Sequence, residues 1–113
     1  MDEEIRIKKL LFDIQSCIEN IESYIGESKI FNDYLNNHLL QDAVERNLIT
    51  IGEAMNSLLK LDNSIPISNA RRIVNARNKL THGYDEIETV QIWSIIVKDI
   101  PVLKKEINSL LAD

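Results

Sequence analysis

The chain has 113 residues, of which 44% are hydrophobic and 27% charged, a balance that suits one soluble domain spanning residues 1–113. The formal net charge is −5, which argues against a general nucleic-acid coat protein, because such proteins are usually basic. Only 3 Gly and 2 Pro are present, so long helices with few connections are favoured over a sheet with many hairpins.

The first predicted helix runs from about Glu3 to Ile25, because apolar residues recur there at three- and four-residue spacing, and Gly26 is a natural stop. The first ten residues, MDEEIRIKKL, are rich in charge and lack the apolar centre of a signal peptide. Cys17, the single cysteine, lies within the apolar pattern. We expect it to be buried, in a cytoplasmic protein with no membrane segment and no disulfide.

Three further helices are predicted between Gly26 and Gly83. Phe31, Tyr34 and Leu35 indicate a short helix, and a long one follows from about Asn37 to Leu61. Gly52 lies inside this long helix at a cost of about 1 kcal/mol relative to Ala, so we expect another helix to approach closely there. The next helix is predicted to begin near Pro66 and to end near Thr81, before Gly83.

The last helix is predicted from about Glu86 to Leu111, with an apolar stripe that starts at Val90 and includes Trp93. Pro101 lies inside it and should kink it or remove a hydrogen bond. The fold class predicted from these elements is all-α, an up-and-down bundle of four main helices plus a short one.

Chemistry is concentrated in the segment from Arg77 to Tyr84, which also contains Asn78 and His82. It belongs to a stretch, residues 64–84, that has no acidic residue and carries a charge of +4, so a local basic patch is predicted on an acidic body. Arg71, Arg72 and Lys79 supply the other cations of the stretch, and we treat them as candidate RNA-binding residues.

These residue types suit cleavage of RNA without a metal. Such cleavage needs a base for the 2′-hydroxyl, an acid for the leaving oxygen and positive charge at the phosphate; His82 supplies a proton donor or acceptor near pH 7, and Arg77 a fixed fork for phosphate oxygens. Asn78 could orient the phosphate or a catalytic side chain. A divalent metal would want clustered carboxylates, which the segment lacks, so no metal and no cofactor are expected.

Physical reasoning alone leaves alternatives open. A histidine at a helix C-terminus is favourable simply through the helix dipole, and Tyr84 would also suit an ordinary amphipathic surface position. Arg77 and His82 lie about 140° apart on an ideal helix. They can converge only if the chain turns, or if a second copy supplies the missing partner.

Three blocks of this sequence, in order, resemble the HepT-like family of the HEPN superfamily. The first is Ala43–Leu48 followed by Ile51–Ala54, the second is the Arg77, His82 and Tyr84 signature with Asn78, and the third is Trp93–Leu103. Many relatives carry a Trp seven residues before the signature Arg, where this chain has Ala70. That departure affects the expected local packing rather than the catalytic residues.

The resemblance implies a homodimeric, metal-independent endoribonuclease that cleaves cellular RNA, either tRNA or mRNA. It would be the toxin of a type VII-like HepT/MNT toxin–antitoxin system. It implies Arg77, His82 and Asn78 as catalytic residues, and Tyr84 as the residue that the cognate nucleotidyltransferase antitoxin silences by AMPylation. Two alternatives remain: a non-catalytic HEPN module that binds a nucleotide or partner, and a dimeric helical adaptor.

Overall fold

A computed structural model describes residues 2–82 and 87–112, and in these ranges the chain forms helices and connections without a strand. The helices are α1 (Glu3–Ile25), α2 (Phe31–Leu35), α3 (His38–Leu61), α4 (Ala70–His82), α5 (Thr89–Ser94) and α6 (Ile100–Ala112), with a π-helix (Ile95–Asp99) that joins α5 to α6. Because these last three segments are continuous, residues 2–82 and 87–112 contain four main helices and one short one. The predicted all-α bundle is confirmed.

The starts of the two longest helices and the end of α1 are set by local side-chain and backbone chemistry. Asp2 accepts a hydrogen bond from the Glu4 amide at the start of α1, and Asn37 accepts one from the Leu40 amide at the start of α3. Gly26 ends α1 with a φ of 77°, a conformation that favours glycine. The predicted bounds of α1 and α3 therefore agree with the structure to within a residue.

One apolar core joins the main helices, with α3 at its centre. Helix α3 packs against α1 on one side and α4 on another, α6 packs on α1, and α2 lies across α3. The side chains that are essentially inaccessible to solvent come from five helices: Ile14, Ile18, Ile21, Tyr34, Val44, Leu48, Ile51, Met55, Leu58, Ile73, Leu103 and Ile107. Cys17 is buried among them, as predicted. In the described part of the chain, no helix is apolar and long enough to cross a membrane.

The start of α4 differs from the prediction. Pro66 precedes the helix instead of opening it, because residues 62–69 form a connection with hydrogen bonds of its own. The Asp62 carboxylate accepts from the Ser64 amide and hydroxyl, and Ile65 and Ile67 on either side of Pro66 are buried. The connection is thus anchored in the core, and α4 begins at Ala70, one helical turn later than predicted.

The last helix also departs from the prediction, in both its start and its register. Residues 87–88 are not helical, and α5 begins at Thr89. Val90, predicted to point inward, is 54% exposed, whereas Ile92 and Ile95 are buried. The π-helix adds one residue to its turn, so a single 3.6-residue period does not describe α5 and α6 together.

Candidate nuclease site

Arg77 lies at a close approach of α3 and α4. Gly52 is buried in α3, and a Cβ atom placed on it would lie 2.2 Å from Arg77 Cβ and 2.8 Å from Arg77 Cγ. It would also lie 3.3 Å from the carbonyl oxygen of Ile73. The missing side chain of Gly52 is therefore the space that the stem of Arg77 occupies, which confirms the close helix approach predicted at this glycine.

The guanidinium of Arg77 is held by its neighbour along the chain. Arg77 Nη1 donates a hydrogen bond of 2.7 Å to Asn78 Oδ1. Arg77 Nε is buried, and no acceptor for it exists among the described residues. With its stem fixed by α3 and one nitrogen fixed by Asn78, the Arg77 side chain presents a permanent positive charge from a half-buried position.

His82 is the last residue of α4, and its side chain is exposed. Helix α4 stays regular from Ala70 to His82, so His82 leaves the helix about 140° from Arg77. Asn78 lies about 40° from His82 on the same surface. Within one chain, Arg77 and Asn78 are therefore joined by a hydrogen bond, and His82 lies on an exposed face of α4 on the side of Asn78. Gly83 and Tyr84 lie outside the described residues.

The three cations predicted to bind RNA lie on α4 in different surroundings. Arg71 and Lys79 are exposed, and within residues 2–82 and 87–112 neither side chain makes an ion pair. Arg72 forms an ion pair with Asp99 of the π-helix, whose carbonyl also accepts a hydrogen bond from Asn69. The charge of Arg72 is thus partly offset by Asp99, so less of it is available to an RNA phosphate than the charges of Arg71 and Lys79.

A cavity beside this helix was not anticipated from the sequence. It has a volume of about 650 Å³ and lies between α4 and α5, with Asn75 and Lys79 on one wall and Gln91 and Ser94 on the other. The spacing of Asn75, Lys79 and His82, four and then three residues, was the available signal, since such residues share a helix face. The sequence alone did not place α5 beside that face.

The buried hydroxyl of Tyr34 has a raised pKa. Tyr34 is buried and stacks on Trp93, with ring centroids 5.2 Å apart, and Phe31 packs on the same indole. Burial raises the pKa of the Tyr34 hydroxyl, and the carboxylate of Glu45 raises it further. Partial burial likewise raises the pKa of Glu45, with a smaller contribution from Asp42. The Tyr34 ring thus packs α2 against α5, whereas burial disfavours the charged forms of its hydroxyl and of Glu45.

Comparison with known proteins gives one consistent family. The family model described as Ribonuclease HepT-like matches residues 14–110. A protein of Thermococcus cleftensis named "Probable ribonuclease HepT" is 36% identical over 107 residues, which cover 91% of this chain and 94% of that protein. A protein of Caldanaerobacter subterraneus, named as a candidate RNase, is 33% identical over 102 residues, which cover 87% of each chain.

A relative from Methanocaldococcus jannaschii, also named as a candidate RNase, is 29% identical over 108 residues, or 95% of this chain and 92% of its own length. No solved structure gives a significant match. The match to the family model covers most of the chain, including α4 and the positions of Arg77, Asn78 and His82. The chain therefore belongs to the HepT-like ribonuclease family of the HEPN superfamily.

Proposed function

We propose that this protein is a metal-independent endoribonuclease that acts as the toxin of a HepT/MNT toxin–antitoxin system. The observation that carries the proposal is the fixed position of Arg77 on α4, the helix that ends in His82. Gly52 of α3 packs against the Arg77 stem, and Asn78 of α4 accepts a hydrogen bond from its guanidinium. Cations for a phosphate and a group for proton transfer are thus combined on a helix that has no acidic residue.

The proposed reaction is transfer of the RNA phosphate to the neighbouring 2′-oxygen. A base removes the 2′-hydroxyl proton, the 2′-oxygen forms a bond to phosphorus, and the bond to the 5′-oxygen breaks as an acid gives that oxygen a proton. The products are a 2′,3′-cyclic phosphate and a 5′-hydroxyl. Arg77 stabilises the charge that grows on the phosphate oxygens, and His82 transfers the protons.

We propose that two chains form one active site. Because His82 and Arg77 leave α4 about 140° apart, one chain presents them to different sides of the helix. A two-fold axis beside α4 would bring two copies of each into one cleft. One His82 then serves as base and the other as acid. Mixed dimers that carry His82→Ala in one chain should lose most activity, whereas full activity of such dimers would contradict shared catalysis.

The cognate nucleotidyltransferase antitoxin is proposed to silence the enzyme by transferring AMP to Tyr84. The added phosphodiester would bring negative charge next to the signature segment and compete with RNA for the cations of α4. Tyr84→Phe would then be toxic even when the antitoxin is present. If the antitoxin still controlled the Tyr84→Phe protein completely, the modification account would be wrong.

The deciding experiment is expression of the chain alone in cells, with sequencing of RNA 5′ and 3′ ends. The wild type should arrest growth and create new RNA ends, and His82→Ala and Arg77→Ala should lower cleavage at least about 100-fold. His38→Ala is the matched control, because His38 is the other histidine and is exposed at the start of α3. Equal RNA ends in all four strains, with folded proteins, would favour a non-catalytic nucleotide- or partner-binding module.

A further inference from the structure

The cavity between α4 and α5 lies on the same side of α4 as His82. Asn75, Lys79 and His82 follow each other at four- and three-residue spacing, so Asn75 and His82 differ by only about 20° around the helix. Lys79 is about 4.5 Å from His82 along the helix axis, and Asn75 about 10 Å. A polymer whose phosphate is bound near His82 would therefore have its neighbouring unit beside this cavity.

The lining of the cavity combines apolar surface with amide and ammonium groups. Ala76 and Ile95 form buried parts of the wall, and Val90 lies at an exposed edge. Its volume of about 650 Å³ falls within the roughly 300–1,000 Å³ that is usual for small-molecule sites. A flat, largely apolar ring with hydrogen-bonding edges matches such a lining better than a sugar or an inorganic ion.

Two amides on opposite walls are available to read the edge of a base. The Asn75 side chain lines the cavity, is exposed to solvent and makes no hydrogen bond within the described ranges, so its two donors and its acceptor are available to a ligand. Gln91 Oε1 accepts from the Glu88 amide at 3.0 Å. That bond fixes the orientation of the Gln91 amide and leaves its NH₂ group as a donor.

Lys79 supplies the charge that an attached phosphate needs. Its ammonium makes no ion pair in the described part of the chain, whereas the charge of Arg72, at another edge of the cavity, is partly offset by Asp99. Among the described lining residues, the positive charge without an ion pair is therefore that of Lys79. This complementarity favours a nucleotide of an RNA strand over an apolar peptide segment.

We propose that this cavity binds the nucleotide that flanks the scissile phosphate, with Asn75 and Gln91 selecting its base and Lys79 holding its phosphate. The proposal rests on the proposed ribonuclease function and specifies where its cleavage preference arises. Asn75, Gln91 and Ser94 become specificity residues that take no part in proton transfer. Cleavage would then depend on the base next to the cut, in RNA segments where that base is unpaired.

The test compares Asn75→Ala, Gln91→Ala and the cavity-filling variant Ser94→Leu with the wild type and with Asn63→Ala, an exposed asparagine in the α3–α4 connection. Sequenced RNA ends give the base preference at each position around the cut. Asn75→Ala and Gln91→Ala should weaken the preference at one flanking position by about 3- to 10-fold, the value of one or two hydrogen bonds. Ser94→Leu should reduce cleavage at preferred sites, and Asn63→Ala should change nothing.

A second readout separates this proposal from the ribonuclease function. Binding of fluorescent 2′-O-methyl RNA, which lacks the attacking hydroxyl, is measured on purified wild type and on the same variants. If the wild type cleaves no RNA but Asn75→Ala and Ser94→Leu still weaken binding, the ribonuclease function fails and the nucleotide site stands. Unchanged base preference and unchanged binding in both variants would overturn the site. Weaker self-association of the chain with unchanged RNA selection would overturn it too, and would assign the cavity to an interface between copies.

Discussion

Gly52 of α3 and Arg77 of α4 share one volume: a methyl group on the glycine would lie 2.2 Å from Arg77 Cβ, far inside van der Waals contact. The backbone of the central core helix thus sets the position of the proposed phosphate-binding arginine. A rigid surface behind a charged side chain reduces the reorganisation needed when the transition state forms. If Arg77 has the proposed role, its placement for catalysis and the packing of α3 on α4 depend on the same contact.

Gly52→Ala should consequently impair cleavage more than stability. Alanine is the better helix former by about 1 kcal/mol, but the clash with Arg77 forces α3 and α4 apart, and overpacking of this kind costs about 1–3 kcal/mol. We expect little net change or a modest loss of stability, with at least a 10-fold loss of cleavage, since small misplacements are costly in catalysis. Urea unfolding and RNA cleavage measure the two effects. Ser57→Ala, at an exposed position of α3, is the control, and full activity of Gly52→Ala would refute the coupling.

Asn78 should act as a positioning residue for Arg77. Asn78→Ala removes the acceptor 2.7 Å from Arg77 Nη1, so the guanidinium gains rotational freedom, and we expect kcat to fall about 3- to 10-fold. Asn78→Asp instead places a carboxylate against the guanidinium, so it should raise the KM for RNA by charge neutralisation. Kinetics on one RNA substrate separate the two variants. Identical effects on kcat and KM in both would show that Asn78 contacts the RNA itself.

Tyr34→Phe should leave stability unchanged or raise it by up to about 1 kcal/mol. The Tyr34 hydroxyl oxygen is buried, and it has no hydrogen-bond partner within the described residues, so its removal eliminates a desolvation cost without losing the ring contact with Trp93. Tyr34→Ala should cost about 3–5 kcal/mol, because the ring packing is lost. Chemical denaturation tests both, with the exposed Tyr24→Phe as control. A clear loss of stability in Tyr34→Phe would reveal a bond to the hydroxyl.

Glu45 should make stability depend on pH in a defined direction. Partial burial and then Asp42 raise its folded-state pKa above the unfolded value. The fold therefore favours the protonated form of Glu45. The contribution of this group to the free energy of unfolding is complete below the unfolded pKa and is lost as the pH rises through the folded pKa. Glu45→Gln should accordingly melt at a higher temperature than the wild type at pH 7, and the difference should shrink towards pH 4. Glu53→Gln, on the exposed face of α3, serves as the comparison. A difference that grows on acidification would contradict the sign.

The sequence predicted most of the fold because local signals and core packing agree at most positions. Gly26 and Asn37 set helix ends by their own chemistry, and the three- and four-residue spacing of apolar residues placed α1 and α3 correctly. Pro66 misled the prediction of α4, because buried flanking residues hold it in the connection. Val90 was wrongly predicted to point inward, because a 3.6-residue period extended across the whole last helix does not include the extra residue of the π turn.

The candidate site was predicted in its composition but not in its arrangement. Arg77, Asn78 and His82 are site residues predicted from residue type and family resemblance, and the structure shows a hydrogen bond from Arg77 to Asn78. The dependence of Arg77 on Gly52 requires knowledge of how α3 crosses α4. The ion pair of Arg72 with Asp99 likewise joins residues that are distant in sequence.

The π-helix gives this protein a position where the chain can lose one residue without rotating the faces of the helices on either side. The amide of Ile100 reaches back five residues to the carbonyl of Ile95, just before Pro101, which has no amide hydrogen to donate. Deletion of one residue between Ile95 and Asp99 would remove the extra residue of this turn and restore a regular α-helix, so Leu103 and Ile107 would stay in the core. The same deletion within α6 would instead rotate the residues beyond it by about 100°. Gaps of one residue in alignments of related proteins should therefore be read here as changes of helix type, with the flanking helices kept in place.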